Sequence, residues 1–218
     1  MELLKKIRYG IEELRNDGVI RYCRERIYFN RIVVVAEKKI SETVLREPPL
    51  KNGGLRIIEL KNSIVNSDEY VFSDAFRYER ARYYLDKMIG GYALVKDSTI
   101  VGDYWYYHAD NINEEITKPA RHLEWLDIKK LGDTSVYTFD IYVTPQERKN
   151  GISAAFQNNV VYMLGKKGFT NALGYCWLDN KPAIWNTCVI NKWREVKRMK
   201  MSRILVYNSG KMCLKNYG

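Results

Sequence analysis

Cysteine, histidine and long apolar runs are all scarce in this chain, and each scarcity rules something out. Cys23, Cys176, Cys188 and Cys213 form no Cys-x-x-Cys pair, and His108 and His122 are the only histidines. That excludes a conventional zinc site, so no metal is expected and the cysteines read as reduced and mostly buried. No apolar stretch approaches the ~20 residues that a membrane-spanning helix needs. Met1–Ile7 lacks the continuous apolar core of a secretory leader, so a cytoplasmic protein is expected. Repeats and low-complexity tracts are missing too. Neither common glycine-rich nucleotide loop is present: there is no Gly-x-x-x-x-Gly-Lys-Ser/Thr run and no set of three spaced glycines.

What remains is one ordinary domain with an appendage, 218 residues long and 46% hydrophobic. The net charge is +10. Its positive excess gathers late in the chain, at Lys192, Arg194, Lys197, Arg198, Lys200, Arg203, Lys211 and Lys215 against Glu195. A nucleic-acid surface is one reading of that stretch, and a solvated basic surface around a small polyanion is the other. Aromatic residues sit in apolar runs rather than alternating with the basic ones, which favours the second. Before the core, Leu3, Leu4, Ile7, Ile11 and Leu14 make a helical stripe that Asn16-Asp17-Gly18 should stop. Val19–Tyr28 has the pattern of a second amphipathic helix, and Val33-Val34-Val35 within Arg31–Glu37 that of a strand. Such helices can dock on membrane surfaces, but packing on the core is the commoner outcome. Pro48-Pro49 and Asn52-Gly53-Gly54 mark a boundary, dividing an extension over 1–54 from a domain over 55–218.

The most informative stretch is an apolar strand, Tyr137–Val143, followed by Thr144–Asn150 and a helix that begins at Gly151. A helix start leaves backbone N–H groups unpaired and carries partial positive charge. Gly151 lets an anion approach the backbone, and Arg148 and Lys149 add charge at the mouth. The turn reads as a cradle for a pyrophosphate. Downstream, Ala154, Ala155, Phe156, Val160, Val161 and Leu164 form an apolar stripe at helical spacing. A short strand, Ala172–Trp177, and a second helix start at Asn180-Lys181-Pro182-Ala183 follow. Upstream, Gly91–Val95 and Thr99–Tyr106 flank Lys96-Asp97-Ser98 as a hairpin. Leu55–Leu60 supplies a first strand, Ser67–Met88 a helix and Ser202–Tyr207 a final strand.

Arg-x-x-Gly-x-Ser after an apolar strand, with a later strand leading into Asn-x-x-Ala, resembles the coenzyme A site of the GNAT superfamily, the acyl-CoA N-acyltransferases. The resemblance covers Leu55 to about Tyr207 and is specific over Tyr137–Ala183. It implies a mixed α+β fold, with a central, mostly antiparallel sheet flanked by helices. It also implies transfer of an acyl group, expected to be acetyl from acetyl-CoA, to a small-molecule or peptide amine attacking directly in a ternary complex. The coenzyme would lie against Ile141, Tyr142, Val143, Arg148, Lys149, Asn150, Gly151, Ile152, Ser153, Asn180 and Ala183. A backbone N–H, best placed at Val143, would polarise the thioester carbonyl.

Proton handling departs from the family pattern. A tyrosine often stands seven residues after the asparagine as acid for the thiolate; here that position is Thr187. A thiol with a pKa near ~8.5 is a tolerable leaving group without it. Tyr137 and Asp140 are the candidate bases, on opposite faces if the strand alternates regularly. Tyr104, Trp105 and Tyr106 are candidates for the wall of the acceptor pocket. Two rival readings are a degenerate coenzyme- or partner-binding protein without turnover, and a basic nucleic-acid binder.

Overall fold

Val33, Val34 and Val35 are at most 2% exposed. A β-branched run buried on both faces belongs inside a sheet rather than at its margin. The computed structural model describes residues 28–40, 50, 54–108 and 132–204. In it the three valines lie in β1 (Tyr28–Lys39), which pairs antiparallel with β7 (Asn171–Trp177) and with β8 (Arg194–Ile204). The remaining strands are β2 (Leu55–Leu60), β3 (Val71–Phe72), β4 (Gly90–Lys96), β5 (Thr99–His108) and β6 (Ser135–Val143). Their order across the sheet is β2-β4-β5-β6-β7-β1-β8, with β3 lying beside the start of β5. Among the described residues, only β3–β5 and β6–β7 are parallel pairs.

Helices cover both faces, each seated by an apolar stripe. On one face, α1 (Asn62–Val65) and α2 (Ala75–Asp86) bring Val65 and Ala81 against Val35, Trp105 and Tyr107. On the other, α3 (Ile152–Lys166) buries Ile152, Phe156, Val160, Val161 and Leu164 against Leu94, Tyr104 and Val136. A last helix, α4 (Lys181–Ile184), runs straight into a π-type turn over Trp185–Ile190.

The expected hairpin forms, with Asp97 in the left-handed region at φ 54° that two-residue hairpin turns require. The helix expected over Ser67–Met88 is shorter. Val71 N–H and Ser73 N–H bond instead to Ser98 O and Ile100 O at the start of β5, which extends that stretch. Asp74 then starts α2 by accepting from the N–H groups of Phe76 and Arg77. The final strand also differs from expectation, beginning at Arg194 rather than Ser202. Its charged residues disguise it in the sequence because, at the edge of the sheet, most of them stay in water. The helices expected before residue 28, the boundary loop at Pro48-Pro49 and residues 205–207 lie outside the described residues, as do Cys23, His122 and Cys213.

Candidate functional site

The end of β6 leads through two 3-10 turns, Pro145–Glu147 and Lys149–Gly151, into α3. Asn150 (φ 56°, ψ 27°) and Gly151 (φ 75°, ψ 14°) are both left-handed, and Ile152 returns to helical geometry. Successive left- and right-handed residues turn neighbouring N–H groups into one concavity. No side chain caps α3, and its first turn holds no acidic residue. A Cβ added at Gly151 would meet nothing within 4 Å, so the space in front of this backbone is open. An uncapped helix start with open access is suited to an anion. Arg148, Lys149, Asn150 and Gly151 are exposed around it, and Ser153 is half-buried one residue into α3. Arg148 turns back to donate from Nε to the Val143 carbonyl oxygen at 2.7 Å, with its guanidinium over the Tyr142 ring.

Beside this loop the sheet opens. The β6–β7 ladder holds only Ser135↔Asn171, Val136↔Ala172 and Tyr137↔Leu173. Thr138 Oγ1 donates to Leu173 O at the fork, and beyond it the strands share no further ladder pair. Thr144 N–H bonds to Val101 O of β5 at 2.8 Å. Since N–H groups alternate between the two edges of a strand, the Val143 N–H points the other way, into the split.

A bulge governs that direction. Register shifts between Asp103 and Trp105, so that Asp140 and Ile141 of β6 together stand opposite Tyr104. Asp140 takes φ 49°, a conformation that costs a non-glycine residue about 1–3 kcal/mol. The bulge corrects the expectation that Tyr137 and Asp140 occupy opposite faces. Tyr137 stacks on Phe139, while Tyr84 of α2 contacts both Phe139 and, through its hydroxyl, Asp140. Both candidates therefore lie on the α2 face, because the extra residue resets the alternation.

Neither has the environment of a base. Tyr137 is 0% exposed, and burial pushes its hydroxyl well above the ordinary tyrosine range. Burial alone would raise the Asp140 carboxyl too, but Arg77 and Arg80 outweigh it and hold the group below the usual carboxylate range. Arg77 Nη1 lies 3.0 Å and Arg80 Nη1 3.1 Å from this carboxylate. An efficient base has a pKa near the working pH, and both shifts run away from it.

The other sequence-selected residues divide. Thr187 is buried beneath the split, where its hydroxyl meets Gln157 Nε2 at 3.3 Å and Cys176 Sγ at 3.6 Å. Asn180 Oδ1 accepts from Ala183 N–H and caps α4, which places both residues beside the end of β7. Tyr104, Trp105 and Tyr106 divide between the two faces of the sheet. They are 3%, 1% and 8% exposed, with Tyr104 and Tyr106 packed on the α3 side and Trp105 on the α2 side. Sequence reasoning missed Arg77 and Asp103. A carboxylate inside the apolar run Ile100–Tyr107 was the available signal, since a buried charge demands a partner.

By sequence, the chain matches no family model and no curated protein. Solved structures do match. A fungal glucosamine N-acetyltransferase region within a multi-domain β-N-acetylglucosaminidase aligns at TM-score 0.54 and 12% identity, over 86% of this chain and 22% of that one. A tandem GNAT protein from the clavulanic acid biosynthesis pathway, solved without acetyl-CoA, aligns at TM-score 0.50 and 11% identity, over 83% and 56%. This chain has the GNAT fold. A Drosophila protein also aligns, at TM-score 0.52 and 7% identity, over 88% of this chain and 57% of its own. In each case the chain spans less than two thirds of its match. Among the described residues, no helix is long and apolar enough to cross a membrane, and no three metal-ligating side chains converge.

Proposed function

We propose that the chain is an acyl-CoA-dependent N-acyltransferase, with acetyl-CoA as donor and a small-molecule or peptide amine as acceptor. One observation carries this reading: an open, uncapped helix start adjoins a sheet split into which a backbone N–H points. The pyrophosphate would rest on the amides from Gly151 to Ser153, with Arg148 and Lys149 at its rim. The pantetheine arm would follow the edge formed by Ile141, Tyr142 and Val143, across from Asn180 and Ala183. The Val143 N–H would then polarise the thioester carbonyl as negative charge develops on its oxygen.

The amine attacks the carbonyl carbon, the C–N bond forms, and the C–S bond breaks with its electron pair left on sulfur. The proton lost by the amine passes through water and finally reaches the thiolate. Neither Tyr137 nor Asp140 is assigned that proton, given the shifts described above. Thr187 is assigned a packing role. Its burial beneath the split, where the family often has a tyrosine acid, also favours a second reading: coenzyme binding without turnover.

Titration with acetyl-CoA by calorimetry, using Arg148→Ala as control, tests the site. Binding that weakens by roughly 10–100-fold in the variant, the value of one charge-assisted hydrogen bond, supports it. Equal affinity in both proteins refutes the loop assignment. Release of free thiol over a panel of amines then separates turnover from binding alone.

A further inference from the structure

One guanidinium joins the two strands that carry the bulge. Arg77, 5% exposed, donates from Nε to Asp103 Oδ2 at 2.9 Å, with Nη2 against the other oxygen of that carboxylate. Its Nη1 donates to Asp140 Oδ1 at 3.0 Å, and Nη2 reaches the Asp140 carbonyl oxygen at 3.5 Å. Asp103 sits on β5 and Asp140 on β6, on either side of the register shift. Trp105 Nε1 closes the cluster from below by donating to Asp103 at 2.6 Å. Arg80 and Tyr84 close it from above on Asp140.

Stability does not explain this arrangement. Well-packed apolar groups can replace a buried ion-pair cluster at little or no loss, and the cluster holds Asp140 in an unfavourable backbone conformation. Its geometric effect is specific. One extra residue between Phe139 and Tyr142 reverses both alternations of β6, the facing of side chains and the facing of N–H groups. Without it, the Val143 N–H would be aimed at β5 and its side chain at the α2 face.

We propose that Arg77 is a positioning residue, which clamps Asp140 to Asp103 and so holds the bulge that turns the Val143 N–H into the split. Its catalytic meaning rests on the acyltransferase reading; the clamp itself does not.

The test uses the full chain carrying Arg77→Lys, Asp140→Ala or Asp140→Gly. Lysine keeps a cation beside Asp103, but its ammonium lacks the planar fork that holds Asp103 through two nitrogens while a third reaches Asp140. Glycine adopts a positive φ freely, whereas alanine resists it. In Arg77→Lys and Asp140→Ala, the Val143 amide resonance should shift, and its hydrogen exchange should slow as it turns towards β5. Turnover of acetyl-CoA should fall by about 10²-fold, the usual loss for a misplaced oxyanion donor. Affinity for coenzyme A should fall much less than turnover, because the amides from Gly151 to Ser153 take no part in the clamp. Asp140→Gly should keep a substantially higher turnover than Asp140→Ala.

An unchanged Val143 amide in both Arg77→Lys and Asp140→Ala would overturn the clamp. Equal inactivity of the glycine and alanine variants would also overturn it, by making the carboxylate itself the essential group. If the unaltered protein fails to bind coenzyme A, the acyltransferase reading fails, and the amide measurements still judge the clamp.

Discussion

The Nε of Arg148 donates to the carbonyl oxygen of Val143 across 2.7 Å, tying the loop that would hold an anion to the strand that would hold a carbonyl. One nitrogen of the guanidinium is spent on the backbone, and the rest of the fork is left to face a ligand. Lysine at this position keeps the charge but offers a single point of contact. Arg148→Lys should therefore weaken acetyl-CoA binding by about tenfold, less than Arg148→Ala, with the loss of one charge-assisted hydrogen bond. Calorimetry on both variants checks the order; a lysine variant as strong as the unaltered protein would show that only the charge matters and would overturn the role given to the fork.

Gly151 separates conformational cost from ligand access. Its φ of 75° penalises any side chain, yet the space around its Cβ direction is empty. Gly151→Ala should lose about 1–2 kcal/mol of stability, the cost of placing an L-residue in the left-handed region. Binding should suffer more, since the new methyl occupies the approach to the helix start. Urea unfolding beside calorimetry distinguishes the two losses, and unaltered affinity would mean that the anion does not approach there.

Thr187→Val removes a hydroxyl from a buried polar cluster without changing shape. Gln157 keeps its bond from Asn191 Nδ2 at 2.7 Å and its contact to the Tyr104 hydroxyl at 3.4 Å. The expected cost is about 1–2 kcal/mol, for one weakened buried donor. Turnover should fall by less than about tenfold, whereas removing a general acid costs about 10²–10⁴-fold. A larger loss, accompanied by a changed pH profile, would assign Thr187 to the chemistry.

Alkaline unfolding should be steep. Burial pushes the hydroxyls of Tyr92, Tyr104 and Tyr175 up to about 12. Below pH ~10 these groups are protonated in both the folded and unfolded chain and make no difference to stability. Above it the unfolded chain releases their protons while the folded chain retains them. Stability then falls by about 1.4 kcal/mol per pH unit for each, until the folded groups ionise as well. Absorbance at the phenolate band should show these protons leaving with the loss of secondary structure; smooth release from a protein that stays folded would contradict the burial.

Local features of this protein are legible in its sequence. The strand–turn–helix at Tyr137–Lys166, the hairpin around Asp97 and the Asn180 cap each depend on contacts within a few residues. Apolar spacing, glycine and capping side chains therefore announce them. The boundaries of α2 and β8 are less legible. In α2, β5 recruits backbone that the apolar pattern would assign to a helix; in β8, an edge position tolerates charge.

Tertiary structure alone decided the rest. It placed β1 between β7 and β8, because strand pairing across more than a hundred residues leaves no local pattern. It also set the bulge at Asp140, which no glycine marks in the sequence. The positive φ there is imposed from outside the strand by Arg77, 63 residues away, and that same arginine reaches Asp103 on the neighbouring strand. Spacing along the chain specifies which groups can form a helix or a turn. Which way a single backbone N–H faces depends on charges that meet only when the sheet and α2 have packed together.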